Sequence, residues 1–250
     1  MERDIVMCEI EGWVDIHNHI LPGVDDGAKD WKMSEKMLKM AYEEGIRKMI
    51  ITPHYHKRFK KVPAEELMCE LKKLQEIARK IDKSFELYLG NELYYSYDAI
   101  EWIKQGFFQT MAGSKYILVE FSPSIDFLEM RQGLQRMQMN GYSPILAHIE
   151  RYSCLHKEFD RVRELYNLGI YLQVNAGSIM GDFGFGIKQF LKKLLQQEYI
   201  HFVATDAHDL YKRPPEIAKC ARYLRKKYDT DYIKQILCDN PMKVINNDYI

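Results

Sequence analysis

A short apolar run followed by a longer amphipathic one recurs seven times between Trp13 and Lys227, and this alternation restricts the fold more than any other feature of the chain. The apolar runs predict strands at Trp13–His17, Lys48–Thr52, Phe85–Leu89, Tyr116–Phe121, Ser143–Ala147, Ile170–Val174 and Ile200–Ala204. The amphipathic runs predict helices over about 31–44, 63–81, 97–105, 126–140, 157–168, 186–197 and 214–227. Met33, Met37, Leu38 and Ala41 make one apolar stripe, with Asp30 set to cap it and Gly45 to end it. Leu67, Leu71, Leu74, Ile77 and Ala78 make the next stripe, opened by Pro63. An eighth helix over about 231–239 is expected to stop at Asn240-Pro241. Repeated strand–helix units imply an α/β fold whose parallel sheet is closed or wound by right-handed crossovers.

The chain carries no internal linker, repeat or low-complexity segment, and its 250 residues suit one large domain. Residues 1–12 read as a polar lead-in and 13–250 as a single domain. Lys+Arg and Asp+Glu both number 36, which gives no support for bulk nucleic-acid or membrane-surface binding. The longest apolar runs are strand-sized, too short for a bilayer span, and the charged start MERDIVMCEIEG has no signal-peptide core. Five scattered cysteines without a C-x-x-C pair fit reduced thiols in a cytoplasmic protein.

The polar residues of interest fall just past the predicted strands. In order they are His17, His19, Asp26, His54, Glu92, Glu120, His148, Asp206 and His208, with Arg151 and Arg213 close behind two of them. Parallel strands bring these ends to one rim. A lone histidine at a strand end is more often structural, and His17-x-His19 before Asp25-Asp26 alone reads equally as a surface motif and a solvated turn. Nine such groups at successive ends are another matter, because buried charges are costly unless paired or metal-bound. The set points to a multinuclear metal site built from imidazoles and carboxylates, a mixture suited to Mn²⁺ or Fe, with Zn²⁺ as a further candidate.

The order HNH, GVDDG, TPHY, GNEL, VEFS, AHIERY and TDAH resembles the PHP (polymerase and histidinol phosphatase) superfamily. Within it the chain is most similar to the bacterial protein-tyrosine phosphatases of capsular and exopolysaccharide operons, the CpsB/YwqE type, from about Val14 to Pro241. The resemblance implies a distorted (β/α)7 barrel of the TIM-barrel-like kind and a site for three divalent metal ions. Carried over by motif, His17, His19, Glu92 and Asp206 would hold the first ion. Glu92 would bridge to a second, held also by Glu120 and His148. Asp26, His54 and His208 would hold the third. Many PHP proteins have histidine where this chain has Asp26 and Glu120, and acids there match the CpsB-like branch.

Three divalent ions against the four carboxylates Asp26, Glu92, Glu120 and Asp206 leave positive charge for a phosphate dianion, with Arg151 and Arg213 added to stabilise the transferring phosphoryl group. Divalent ions also acidify water into a nucleophile near neutrality. A phenolate leaving group, of parent pKa about 10, needs little protonation, so no separate general acid is required. The residues six after Cys8, Cys69, Cys154, Cys220 and Cys238 are Val14, Gln75, Asp160, Lys226 and Val244, so the Cys-x5-Arg motif of thiol phosphatases is missing. The resemblance thus implies metal-dependent hydrolysis of phosphotyrosine in protein, with an autophosphorylated tyrosine kinase controlling capsule or exopolysaccharide synthesis as partner. Alternatives are a small-molecule phosphatase, such as one for histidinol phosphate, and a non-catalytic kinase-binding protein.

Other polar residues take lesser roles. Asp25 is expected to cap or orient its loop, Asp15 to support the site, and His56 to lie at the surface or touch substrate. His156 and His201 read as structural, and Glu150 as either an orienting group or a solvated one. The basic, aromatic stretch Tyr55–Lys61 is expected to help dock a kinase tail.

Overall fold

The computed structural model describes residues 12–56, 59 and 62–250. Every strand pairing among them is parallel, as the strand–helix alternation requires. The strands are Trp13–Asp15 (β1), Ile46–Ile51 (β2), His54–Tyr55 (β3), Glu86–Leu89 (β4), Glu92–Tyr94 (β5), Tyr116–Glu120 (β6), Ser143–Leu146 (β7), Tyr171–Asn175 (β8) and Phe202–Ala204 (β9). They form a sheet in the order β1-β2-β4 and a second in the order β3-β5-β6-β7-β8-β9. The second sheet takes over where two strands are interrupted. Thr52-Pro53 separates β2 from β3, because proline has no N–H for the ladder. Gly90-Asn91 separates β4 from β5. A Cβ on Gly90 would lie 2.9 Å from the Met111 sulfur and 3.2 Å from Ile50, so the close approach there needs glycine.

The sheet system curls until its outermost strands approach each other. Asn18, past β1, forms an isolated parallel bridge with Ala207, past β9. His19 N donates to Ala207 O at 2.8 Å and Asp206 N to His17 O at 2.8 Å. Period-two alternation separates two apolar layers. Val14 and Ile16, Tyr116 and Leu118, Ile145 and Ala147, and Phe202 and Ala204 face inward in one buried cluster with Ile50, Met111 and Val244. Their neighbours Ile117, Val119, Leu146, Leu172 and Val203 face the helices. The inward layer is the floor of the site. Two residues beyond Leu118 is Glu120, and two beyond Ala204 is Asp206, so the parity that fills the floor with apolar groups delivers carboxylates above it.

The first helix runs from Trp31 to Glu43, with Ser34, Met37, Leu38 and Ala41 buried and Asp30 accepting from Met33 N at 2.8 Å. The longest, Ala64–Ile81, buries Leu67, Leu71, Leu74 and Ala78 and places Glu65 and Glu66 at its start and Arg79 and Lys80 at its end, both favourable to the helix dipole. No helix among the described residues is long and apolar enough to cross a membrane.

Several elements differ from expectation. Glu92 sits in a strand of its own rather than a loop. The helix expected over 157–168 runs from Phe159 to Asn167, and a short further helix, Ser153–His156, precedes it. Ala176–Met180 is helical where a loop was expected, and the helix after Pro214-Pro215 starts only at Ala218. The largest difference lies at the end of the chain. Asn240-Pro241 does not stop the last helix, which runs as Thr230–Lys234, a π-helical turn over Gln235–Asp239, and Asn240–Asn246. Asn240 N donates to Gln235 O, the wider spacing of a π turn, and the proline ring falls at the start of the following segment, where its missing donor matters least. Val244 of that segment joins the inward cluster, and Tyr116 Oη donates to Asp248 O at 2.6 Å, so the C-terminus seals the floor from below.

His201, expected to be structural, sits at the start of β9. Its Nδ1 accepts from Leu172 N at 3.1 Å and its ring stacks on Tyr166 at 5.2 Å. Burial pushes this imidazole down to about 4. A folded-state value below the unfolded one means that the unfolded chain takes up the proton first. The stability His201 confers is complete above about pH 6.5 and is lost as pH falls towards 4, about 3 kcal/mol in all. Denaturant melts at pH 7 and 4.5 should show His201→Gln, which keeps an acceptor without titrating, losing less stability than the parent. Equal losses would remove His201 as the acid-labile group.

Candidate metal centre

Above the floor, ligand atoms from eight of the nine expected residues fall into three overlapping groups, each within 4.8 Å: His17, His19, Glu92 and Asp206; His54, Glu92 and Glu120; and His19, Asp26, His54 and His208. In the first, Glu92 Oε2 lies 3.1 Å from His17 Nε2 and 3.2 Å from His19 Nε2, and Asp206 Oδ1 lies 3.4 and 3.5 Å from the same two atoms. In the second, His54 Nδ1 is 3.1 Å from Glu92 Oε2 and 3.2 Å from Glu120 Oε1. In the third, Asp26 Oδ1 lies 3.5 Å from His54 Nε2 and 3.4 Å from His208 Nε2. Glu92 is shared by the first two groups. His148, the ninth residue, sits beside the second group with Nε2 2.8 Å from Glu92 Oε1 and 3.7 Å from Glu120 Oε2. His54 stands between the second and third groups, and His19 between the first and third.

These atoms suit divalent cations. Asp206 Oδ1, His54 Nδ1 and His208 Nε2 are buried without a hydrogen bond of good geometry, a costly arrangement unless another partner is intended. The carboxylates call for positive charge. Burial opposes ionisation of Glu92 and Asp206, yet His17 and its imidazole neighbours, with Arg151 beside Asp206, hold both carboxyls well below the usual range. In turn, burial opposes a charge on His17, but Glu92 and Asp206 outweigh it and raise the imidazole above its ordinary value. His208 goes the other way, to about 4, because burial and the neighbouring His19 dominate.

Backbone geometry is unusual at two of these positions. His148 has φ 33° and Asp206 φ 53°, in the left-handed region that non-glycine residues rarely adopt. Both backbones are tied: His148 N donates to Gln173 Oε1 at 2.8 Å, and Asp206 N to His17 O. Gly27 is constrained differently, since a Cβ there would meet the His19 carbonyl oxygen at 2.1 Å. The Gly23–Ala28 turn is thus folded directly onto the His19 backbone, which brings Asp25 and Asp26 to the rim.

Side chains around the groups hold them in place. Asp25 Oδ2 lies 2.7 Å from His19 Nδ1 and accepts from His54 N at 2.9 Å, so it orients one imidazole and anchors the strand of another. Asp15 is fully buried and accepts from Thr205 N, Thr205 Oγ1 and Asn18 Nδ2. Glu150 is buried and accepts from Asn175 N at 3.0 Å, which makes it an orienting group. His56 is buried, with its ring centre 4.2 Å from that of Tyr94 in an edge-on arrangement, not at the surface. Of the basic stretch, Lys57, Arg58, Lys60 and Lys61 lie outside the described residues, while Phe59 stacks on His54 at 5.2 Å.

Sequence reasoning missed Gln173 and Asn175. Gln173 Oε1 accepts from His148 N and faces His17 Nδ1 at 3.2 Å, and Gln173 Nε2 donates to Asn175 Oδ1 at 2.8 Å. Asn175 Nδ2 donates to Asp206 Oδ2 at 2.8 Å. One buried amide chain on β8 therefore braces residues just past β1, β7 and β9. The period-two pattern was the available signal: Tyr171, Gln173 and Asn175 point inward together. Arg151 and Arg213 also differ from a simple phosphate clamp. Both guanidiniums converge on Asp206 Oδ2, Arg213 at 2.6 Å, while staying partly exposed at the mouth.

The model of the family described as capsular polysaccharide synthesis, CpsB/CapC, matches residues 13–246. The chain is 35% identical over 242 residues to the tyrosine-protein phosphatase CpsB of Streptococcus pneumoniae, covering 95% of this chain and 100% of that one. It is 31% identical to the tyrosine-protein phosphatase YwqE of Bacillus subtilis, covering 95% and 93%. Among solved structures, one from a study of YwqE from Bacillus subtilis and CpsB from Streptococcus pneumoniae, described as unique metal-dependent tyrosine phosphatases, superposes with TM-score 0.88 at 29% identity over 95% of this chain and 96% of the other. The chain belongs to the CpsB/CapC family of capsular polysaccharide synthesis proteins.

Proposed function

We propose that this chain is a cytoplasmic, metal-dependent protein-tyrosine phosphatase whose substrate is an autophosphorylated bacterial tyrosine kinase controlling capsule or exopolysaccharide synthesis. The observation that carries the reading is the set of three overlapping imidazole–carboxylate groups with two guanidiniums at their edge, in a chain similar over 95% of its length to a tyrosine-protein phosphatase. Residues 13–250 act as one catalytic domain, and the family match over 13–246 supports this. The seven-unit distorted barrel is supported by seven strand positions, once β2/β3 and β4/β5 are each counted as one interrupted strand, and by the Asn18–Ala207 bridge.

Under this reading His17, His19, Asp26, His54, Glu92, Glu120, His148, Asp206 and His208 hold three divalent ions, with Mn²⁺ preferred for the mixed donor set. Bound ions supply positive charge for a phosphate dianion and acidify a water molecule. The protein's own groups do the rest. Glu92 reaches both of the first two groups through Oε2 and His148 through Oε1, and so ties them together. Arg151 and Arg213 brace Asp206 through one oxygen, which leaves the other for the ligand groups, and their remaining N–H donors face the mouth to receive phosphoryl oxygens. The buried amide of Gln173 holds His17 through Nδ1 and leaves Nε2 free to ligate.

The test is phosphate release by the purified, Mn²⁺-loaded protein from a phosphotyrosine peptide and from histidinol phosphate. Turnover of the peptide alone is expected; turnover of histidinol phosphate alone would move the chain to small-molecule chemistry, and turnover of neither would leave a binding protein. Gln173→Leu should weaken Mn²⁺ affinity by about 10- to 100-fold, read by chelator competition, without a matching loss of helical signal. Unchanged affinity would reduce Gln173 to packing.

A further inference from the structure

Next to the metal centre opens a cleft of about 460 Å³ whose lining includes Arg151, Arg213, Asn175, Phe183 and Tyr211. The two aromatic side chains are 53% and 88% exposed, which is unusual for rings facing a common hollow beside charged groups. Both are presented by ordered backbone. Phe183 sits directly before the helix Gly184–Gln196, on a turn in which Asp182 N donates to Gly177 O at 3.1 Å. Tyr211 sits in a loop closed by Asp209, whose Oδ1 accepts from Tyr211 N and Lys212 N, each at 2.6 Å, and from Arg213 N at 3.3 Å. The same short loop therefore carries an exposed ring and one of the two guanidiniums that brace Asp206. The guanidinium carbon of Arg151 lies 5.6 Å from the centre of the Phe183 ring.

Arg151 thus has Phe183 as an aromatic neighbour, and Tyr211 lines the same cleft two residues before Arg213. A phosphoryl group at the guanidiniums would leave the ester's organic group in the cleft that Phe183 and Tyr211 line. We propose that Phe183 and Tyr211 form an aryl subsite that receives the ring of a phosphotyrosine side chain and so selects aryl over alkyl phosphate monoesters. This rests on the phosphatase reading for its substrate, but the subsite is a matter of binding and can be judged without turnover. Ring–ring stacking supplies the preference.

The test uses the Mn²⁺-loaded protein and two probes, inorganic phosphate and phenylphosphonate, titrated by calorimetry, with phosphotyrosine-peptide hydrolysis measured in parallel. The parent protein should bind phenylphosphonate more tightly than phosphate. The double variant Phe183→Ala with Tyr211→Ala should weaken phenylphosphonate roughly tenfold while leaving phosphate within about twofold, and Tyr211→Phe alone should keep the preference because the ring, not the hydroxyl, carries it. Equal weakening of both probes, no weakening of either, or no preference in the parent would overturn the subsite. If the parent shows the preference but hydrolyses no phosphotyrosine peptide, the phosphatase reading fails and the subsite stands as an aryl-anion site.

Discussion

Replacing Glu92 by alanine is expected to lower kcat/KM for an aryl phosphate on the order of 10³-fold, with the fold retained. Glu92 is buried and places one oxygen 3.1–3.2 Å from His17, His19 and His54 and the other 2.8 Å from His148. Among the described residues, no other carboxylate belongs to both the first and second groups. Loss of a single transition-state-stabilising donor costs about 10²–10³ in rate, and Glu92 controls two groups together. The fold should survive because the apolar floor of Val14, Ile16, Leu118, Ile145 and Phe202 lies beneath Glu92 and does not depend on it. Glu92→Gln, of equal volume, separates charge from packing. Activity within tenfold of the parent in both variants, with metal still bound, would exclude the shared-ligand role.

Metal removal should have the second large effect: loss of phosphatase activity together with a fall in Tm. A ligand at about 1,000 times its Kd stabilises the native state by about 4 kcal/mol, which in a domain of this size corresponds to roughly 8–16 °C. Mn²⁺ should restore both. Protons compete for the same atoms, since Glu92 and Asp206 raise His17 above its ordinary imidazole value, and metal affinity should therefore fall as pH drops through that range. Alkylation of thiols should leave activity intact. Burial pushes Cys220 and Cys238 up to about 12, which makes both poor nucleophiles. Activity that survives chelation, or disappears on alkylation alone, would sink the metal-dependent reading.

The alternation of strands and helices, and the polar residues at strand ends, were legible because both are local. An apolar run that ends in His, Asp or Glu reports its own boundary and its own rim residue. Gln173 and Asn175 carried no such mark, because an amide in a strand gains meaning only from partners just past β1, β7 and β9. Asp25 and Asp26 could not be told apart by residue type. What separates them is the fold of the Gly23–Ala28 turn, which aims Asp25 at His19 Nδ1 and Asp26 at His54 and His208. Arg151 and Arg213 were expected at the phosphoryl group, and a sequence does not show that both also end on Asp206 Oδ2. Pro241 misled for a related reason: the rule that proline ends a helix presumes α spacing, and the preceding π turn changes that spacing.

The meeting of the first and last strands at Asn18 and Ala207 also sets an order in time. Two of the three ligand groups, those built on His17 and on Asp26, need Asp206 or His208. A chain emerging from the ribosome carries its histidines from residue 17 onward long before it has either partner. During most of synthesis it is a string of unassembled ligands, and only the group of His54, Glu92 and Glu120 can be complete before residue 206 appears. Assembly of the full centre therefore waits for nearly the whole polypeptide, and a prematurely ended product would lack it.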